Sequence, residues 1–527
     1  MNKKIIESCL DMLDRYGEAS SSFIDFFSRA KFYILNDKKP TEKIISQIFS
    51  HEGENKNTFV LFFLLLDEAR MMIENDSIYG QIFLNNVESA IRAKLSTEEY
   101  EQNCILRIAS MYRKANLSVP SLLKINLDKI KRTEKILFLP TTFNHEIEKI
   151  ATQWQKSGTS SYELFRELDE MMAAIPENMQ ANFAHHLTTF SNPVFERCGL
   201  YGLLASPPLV QEAIVAGLYE KLKKSELQQD TLFYLPIIRG WLPTGRIRDS
   251  IDRITQHARR RELYISNTKQ KKKNNIKTVM ASITDGVGAQ NISIVTTHKK
   301  KTFVAMVLTK TGFGIKDSFI IPCASQSEKN NIINHLRQES SAMKISMNIA
   351  EILLESALAD GIKNNATPAP GFLDIMDFCD LRELRPQIKS SRDLLVIADI
   401  ENKTQNYTQE NLNKILNDKK SLKMIAPITD SWFEDSSETR NIIHNARHPQ
   451  QIKENMEMYL EKRRDVWATR FLQTALILNE NKQTSDQKDF LIASAFALIN
   501  NQPLCNIPLM DHIAITTIMA SSSRFID

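Results

Sequence analysis

Between Lys277 and Pro322 the chain reads as short apolar, β-branched runs separated by turn residues, whereas the chain on either side repeats at three and four. The stretch runs V-M-A-S-I-T, a turn at Asp285-Gly286, N-I-S-I-V-T-T, a basic turn, T-F-V-A-M-V-L-T, glycines at 312 and 314, and I-K-D-S-F-I-I-P. Turn residues at the joints make this an antiparallel meander of about four short strands. In the third strand Phe303, Ala305, Val307 and Thr309 share one face, and Val304, Met306 and Leu308 share the other. Apolar residues on both faces predict an interior strand covered on both sides. Such a sheet needs helices to bury it. Two are expected just after it, from Ser327 to Gln338 and from Ser346 to Asp360, the second closed by Gly361 at a left-handed cap. The fold class is therefore mainly α, with a small α+β domain inside a helical chain.

Upstream, Ile5, Cys9 and Leu13, then Ile24, Phe27 and Ala30, then Ile105, Ile108 and Met111 fall at helical spacing. About six helices are expected before a break near Arg132–Thr142. Downstream, Asn364–Gly371 (N-N-A-T-P-A-P-G) is a hard break, and 382–431 carries no clear period; Leu394–Ala398 fits a strand or a helix. Beyond Trp432 the chain is helical again, with one long helix expected from about Gln450 to Leu478. Its 527 residues suit three or four domains. The expected divisions are a helical domain over 1–133, a second helical domain over 134–265, the α+β domain over 266–381 and a helical C-terminal domain over 382–527.

The second helical region has its own texture. Asn192-Pro193-Val194-Phe195-Glu196-Arg197 leads into Gly199-Leu200-Tyr201-Gly202-Leu203-Leu204, and a Ser206-Pro207-Pro208 turn opens a second amphipathic helix. Residues 180–224 thereby resemble a HEAT-type helical repeat. The resemblance implies paired, stacked helices and a concave surface for a partner, not catalysis.

Charge is spread thinly, with 67 Lys and Arg against 63 Asp and Glu, so only a local concentration argues for a polyanionic partner. One exists. Arg246, Arg253, Arg259, Arg260 and Arg261 lie on a predicted helix, Lys271, Lys272 and Lys273 follow in a polar linker, and Lys299, Lys300 and Lys301 form the basic turn of the meander. These are the candidate nucleic-acid contacts, although no aromatic residues interleave to stack bases.

Six cysteines lie far apart without a C-x-x-C, which predicts reduced thiols. Glu7 and Asp11 interrupt the N-terminal apolar run, and Phe59–Leu66 is too short to span a bilayer. A soluble cytoplasmic protein is expected, with signal-free export equally compatible. No motif for a cofactor is present; Asp285-Gly286-Val287-Gly288 lacks the Lys-Ser/Thr or G-x-G-x-x-G of a phosphate loop and reads as a turn. Asp374, Asp377 and Asp380, and the pair His444 and His448, are too few in ligands or wrongly spaced for a metal, and none is assigned. Asp285 and Asp317, at opposite ends of the meander, are the remaining polar candidates.

Three classes stay open. The first is a non-catalytic interaction or scaffold protein binding a macromolecular partner, most simply a protein, through helical surfaces. The second is a nucleic-acid-binding protein using 246–273 and 299–301. The third is an enzyme with its site near the meander, around Asp285, Asp317 or Cys323.

Overall fold

The computed structural model describes residues 3–16, 20–49, 56–74, 77–97, 102–115, 117–123, 140–157, 160–173, 176–263, 275–298, 301–434, 436–446, 448–479 and 485–523. The chain forms two compact units, one of residues 1–199 and 207–226, the other of residues 200–206 and 227–527.

The first unit is helical throughout its described residues. It opens with α1 (Lys3–Tyr16), α2 (Ser21–Asn36), α3 (Lys38–Phe49), α4 (Lys56–Glu74), α5 (Ile78–Thr97) and α6 (Gln102–Lys114). Of the residues at helical spacing, Cys9, Leu13, Phe27, Ala30, Ile105 and Ile108 are buried in one core with Ile6, Ile34, Phe62, Leu65 and Val87; Ile5 and Met111 pack against it half-buried, and Ile24 is exposed. Next come α7 (Pro140–Ser157), α8 (Ser161–Ala173), α9 (Glu177–Thr189), α10 (Pro193–Ala205), whose residues 200–205 belong to the second unit, and α11 (Pro208–Lys223). Helices α9 and α11 touch closely because Gly217 has no side chain: a Cβ there would lie 2.1 Å from Thr188 Oγ1. Glu196 and Lys221, 1% and 2% exposed, form an ion pair at 2.5 Å inside this layer, and the ammonium also donates to the Phe190 carbonyl at 2.9 Å.

The second unit contains α12 (Gln229–Trp241), α13 (Arg246–Arg260), and a five-stranded antiparallel sheet in the order β4-β3-β2-β1-β5. Its strands are β1 (Asn275–Ala281), β2 (Ala289–His298), β3 (Lys301–Lys310), β4 (Gly314–Cys323) and β5 (Met343–Ile345). The meander of four is present as expected. The fifth strand is an addition: Met343, Lys344 and Ile345 pair with Ala281, Met280 and Val279. Three residues are too few to show a period, so the sequence carries no sign of it.

Helix α14 (Gln326–Glu339) covers one face of the sheet, where Met280, Val304, Met306 and Cys323 meet Ile332, Ile333 and Leu336. The other face takes α15 (Met347–Lys363) and α16 (Phe372–Phe378), with the Phe303 and Phe378 rings 4.9 Å apart. Gly361 does not cap α15. It lies buried inside the helix, and the left-handed residue after it is Asn365, at φ 57°. The glycine is needed for a close approach: Gly314, at φ +71°, would place a Cβ 2.7 Å from the Gly361 Cα.

The rest is helical: α17 (Ser391–Ala398), α18 (Gln409–Leu416), α19 (Lys419–Thr429), α20 (Ser437–Asn445), α21 (Pro449–Glu461), α22 (Arg464–Leu478), α23 (Ser485–Ile499) and α24 (Pro508–Ser523). The ambiguous Leu394–Ala398 is helix, started by a capping box between Ser390 and Asp393. The single helix expected over 450–478 is two, broken at Lys462–Arg463. At that break Arg463 reaches the buried Glu434, with Nε 3.0 Å from Oε1 and Nη2 3.3 Å from Oε2. No helix among the described residues is long and apolar enough to cross a membrane.

Candidate functional site

Helix α13 buries Ile251, Ile254, Thr255 and Ala258 and turns its charge outward. Arg246, Arg253 and Arg260 are all exposed and recur every seven residues, so they form one row along the helix. At a rise of about 1.5 Å per residue, neighbours in the row stand about 10.5 Å apart. Arg259 and Arg261 are exposed beside its C-terminal end, where cations suit the helix dipole. Of the acids on the helix, Asp252 is occupied: Arg239 on α12 donates to it from Nε and Nη2, both at 2.9 Å. Those hydrogen bonds hold the Arg239 pKa above its usual value. Asp249 is exposed between Arg246 and Arg253, so the three arginines of the row outweigh one acid on the solvent side of a fixed helix.

Of the other predicted contacts, Lys301 is exposed at the start of β3, and Lys271, Lys272, Lys273, Lys299 and Lys300 lie outside the described residues.

The polar candidates on the meander are not gathered into one site. The β1–β2 loop and the β3–β4 turn share an end of the sheet, because antiparallel strands return there; Asp285 and Asp317 are thus at the same end, not opposite ones. They are still apart, since β3 lies between β2 and β4. Asp285 holds its own loop, accepting from the Ala289 amide at 2.8 Å, and exposed Asp317 accepts from the Ser318 amide at 2.7 Å. Cys323, paired with Thr302, is at the far end of the sheet, and burial pushes its thiol pKa up.

The acids at 374–380 bond to protein. Asp374 accepts from the Tyr201 hydroxyl at 2.5 Å, and Asp377 from Tyr234 and from Arg382 Nε at 2.8 Å. His444 and His448 belong to different helices; His448 caps α21, its Nδ1 accepting from the Gln451 amide at 3.2 Å. Pro449 at the first helical position of α21 explains this.

Two residues escaped the sequence reading. Glu434, 7% exposed, accepts from Arg463, from Trp467 Nε1 at 2.9 Å and from the Tyr459 hydroxyl at 3.3 Å. Arg470 is 6% exposed on α22, its guanidinium 4.4 Å over the Trp467 ring. Burial pulls its pKa down, against the fields of Glu434 and Asp285. The available signal was a lone cation in the apolar run W-A-T-R-F-L at 467–472.

The Asp285 loop is clamped beside this cluster. Trp432 Nε1 donates to the Thr284 carbonyl at 2.9 Å, and a Cβ at Gly286 would fall 1.9 Å from the Ser431 carbonyl oxygen.

Sequence comparison matches four family profiles along the chain. These are the y4lR N-terminal domain over 3–120, the Y4lR second domain over 176–262, a domain of unknown function (DUF7401) over 271–379 and the Y4lR C-terminal helical domain over 392–522. The uncharacterized protein y4lR of Sinorhizobium fredii strain NGR234 is 43% identical over 517 residues, which is 98% of each chain. No solved structure matches.

Proposed function

The chain belongs to the y4lR family, and we propose that it is a non-catalytic interaction protein that docks a nucleic-acid partner on the exposed side of α13. The observation that supports this reading is the row Arg246, Arg253 and Arg260, exposed along a helix whose opposite side is buried. A duplex offers one negative charge per about 1.7 Å of axis, so a straight row of guanidiniums meets phosphates whatever the base sequence. Arginine suits this better than lysine because its planar fork engages two oxygens at once. The partner would be held by its backbone, with affinity and little sequence preference.

In the first unit, the closeness of α9 and α11 favours a HEAT-type stack, which would add a surface for a protein partner.

The test is binding of a generic duplex, read by fluorescence anisotropy, to the wild type and to the triple variant Arg246→Gln, Arg253→Gln, Arg260→Gln. All three side chains are exposed, so the fold should survive. The variant is expected to bind at least about tenfold more weakly at low salt. Equal affinity would remove α13 as the interface. Absence of binding by the wild type would leave a protein partner as the better reading.

A further inference from the structure

A cleft of about 370 Å³ opens in the second unit between the sheet, α15 and α22. Arg470 lines it. The guanidinium is almost wholly removed from water, and Nη1 is buried with no hydrogen-bond partner among the described residues. A buried cation without an acceptor is costly, and the Trp467 ring beneath it only partly offsets that. The carboxylates whose fields reach it are engaged elsewhere, Glu434 with Arg463, Trp467 and Tyr459, and Asp285 with the Ala289 amide.

The rest of the lining tells what would complete it. Lys310, Lys363 and Lys389 stand around the same cleft, against the carboxylates of Asp360 and Asp465. Both carboxylates already accept hydrogen bonds, Asp360 from the Gly312 amide at 2.6 Å and Asp465 from the Ser391 hydroxyl at 2.5 Å. Four cations against the two lining acids and the nearby Asp285 leave the cleft net positive, which suits an anion. The volume lies in the range of small-molecule sites and exceeds what a bare oxyanion fills. The Thr284 hydroxyl and the Gln473 amide offer partners for a polar body, and the Thr309 and Ser356 hydroxyls, which donate to the Gln290 and Ile352 carbonyls, offer acceptor oxygens.

We infer that this cleft binds a phosphorylated small molecule of the sugar-phosphate kind, its phosphate seated on the Arg470 guanidinium. The lysines draw the dianion in, and the hydroxyls and the Gln473 amide hold the polyol. This site is distinct from α13, and nothing in its chemistry depends on nucleic-acid binding.

Isothermal titration of the full chain with ribose 5-phosphate, inorganic phosphate and ribose tests this. Ribose 5-phosphate should bind saturably and more tightly than either of the others. Arg470→Met should weaken it at least about tenfold, since the phosphate loses its buried partner. Lys389→Glu, at the half-exposed edge of the cleft, should weaken it several-fold while leaving the unliganded melting temperature unchanged. That variant keeps the test decisive should Arg470→Met fail to fold. Duplex binding should be untouched by either change. Absence of saturable binding, ribose binding as tightly as its phosphate, or wild-type affinity in Lys389→Glu would each overturn the inference.

Discussion

Lys221 and Glu196 show how much a single buried pair can govern. Their ion pair is enclosed, and the ammonium has one further acceptor, the Phe190 carbonyl. Lys221→Met removes the ammonium that faces the buried Glu196 carboxylate at 2.5 Å. It is expected to destabilise the first unit by about 3–5 kcal/mol, seen as a lower denaturant midpoint. Exchanging both residues for apolar ones should recover most of that loss; a Lys221→Met protein as stable as the wild type would show the pair to be incidental. The thiols make a second residue-scale case. Burial pushes Cys379 from its ordinary 9.0 to about 12. Since the unfolded thiol ionises first, the stability this group contributes is intact below pH 9.0 and is lost as pH rises toward about 12. Cys379→Ala should therefore flatten the decline of stability over that window; identical slopes would contradict it. Arg470 and Glu434 were hidden from sequence because burial, not residue type, makes them unusual, and burial follows from packing between segments distant in the chain.

At the scale of elements, the meander is legible because short β-branched apolar runs and the turn residues between them are local signals. So was the buried set of α1–α6, written in helical spacing. What was misread depended on contacts between elements. Gly361 looks like a helix stop from its neighbours alone, yet its role is to let β4 run against α15. Gly314→Ala should strain the backbone, with its φ of +71°, and also press on that helix. A loss of about 1–3 kcal/mol in the second unit is expected, with the sheet amides near 314 becoming faster in hydrogen exchange. Unchanged exchange would mean the strand and helix can part without cost. The break between α21 and α22 was missed for a similar reason. Nothing in K-R-R-D forbids a helix, and the Arg463–Glu434 contact spans distant sequence.

At the scale of the whole molecule, composition limited the answer without selecting it. A net charge of +4 over 527 residues points to no partner, whereas the arginine row on α13 does. The row was visible in sequence as a basic helix; which arginines align and which acid is neutralised by Arg239 needed the fold. The cleft had no sequence signature, because its lining is drawn from β2, β3, α15, α22 and the segment before α17. The salt dependence of duplex binding reads the number of phosphates that α13 contacts. Each phosphate contact adds about −0.9 to the slope of log affinity against log salt, so the wild type should show a slope steeper than about −2.7. The Arg246, Arg253 and Arg260 triple glutamine variant should be flatter by about 2.7. A wild-type affinity indifferent to salt, or a slope that survives the triple variant, would contradict α13 as the docking surface.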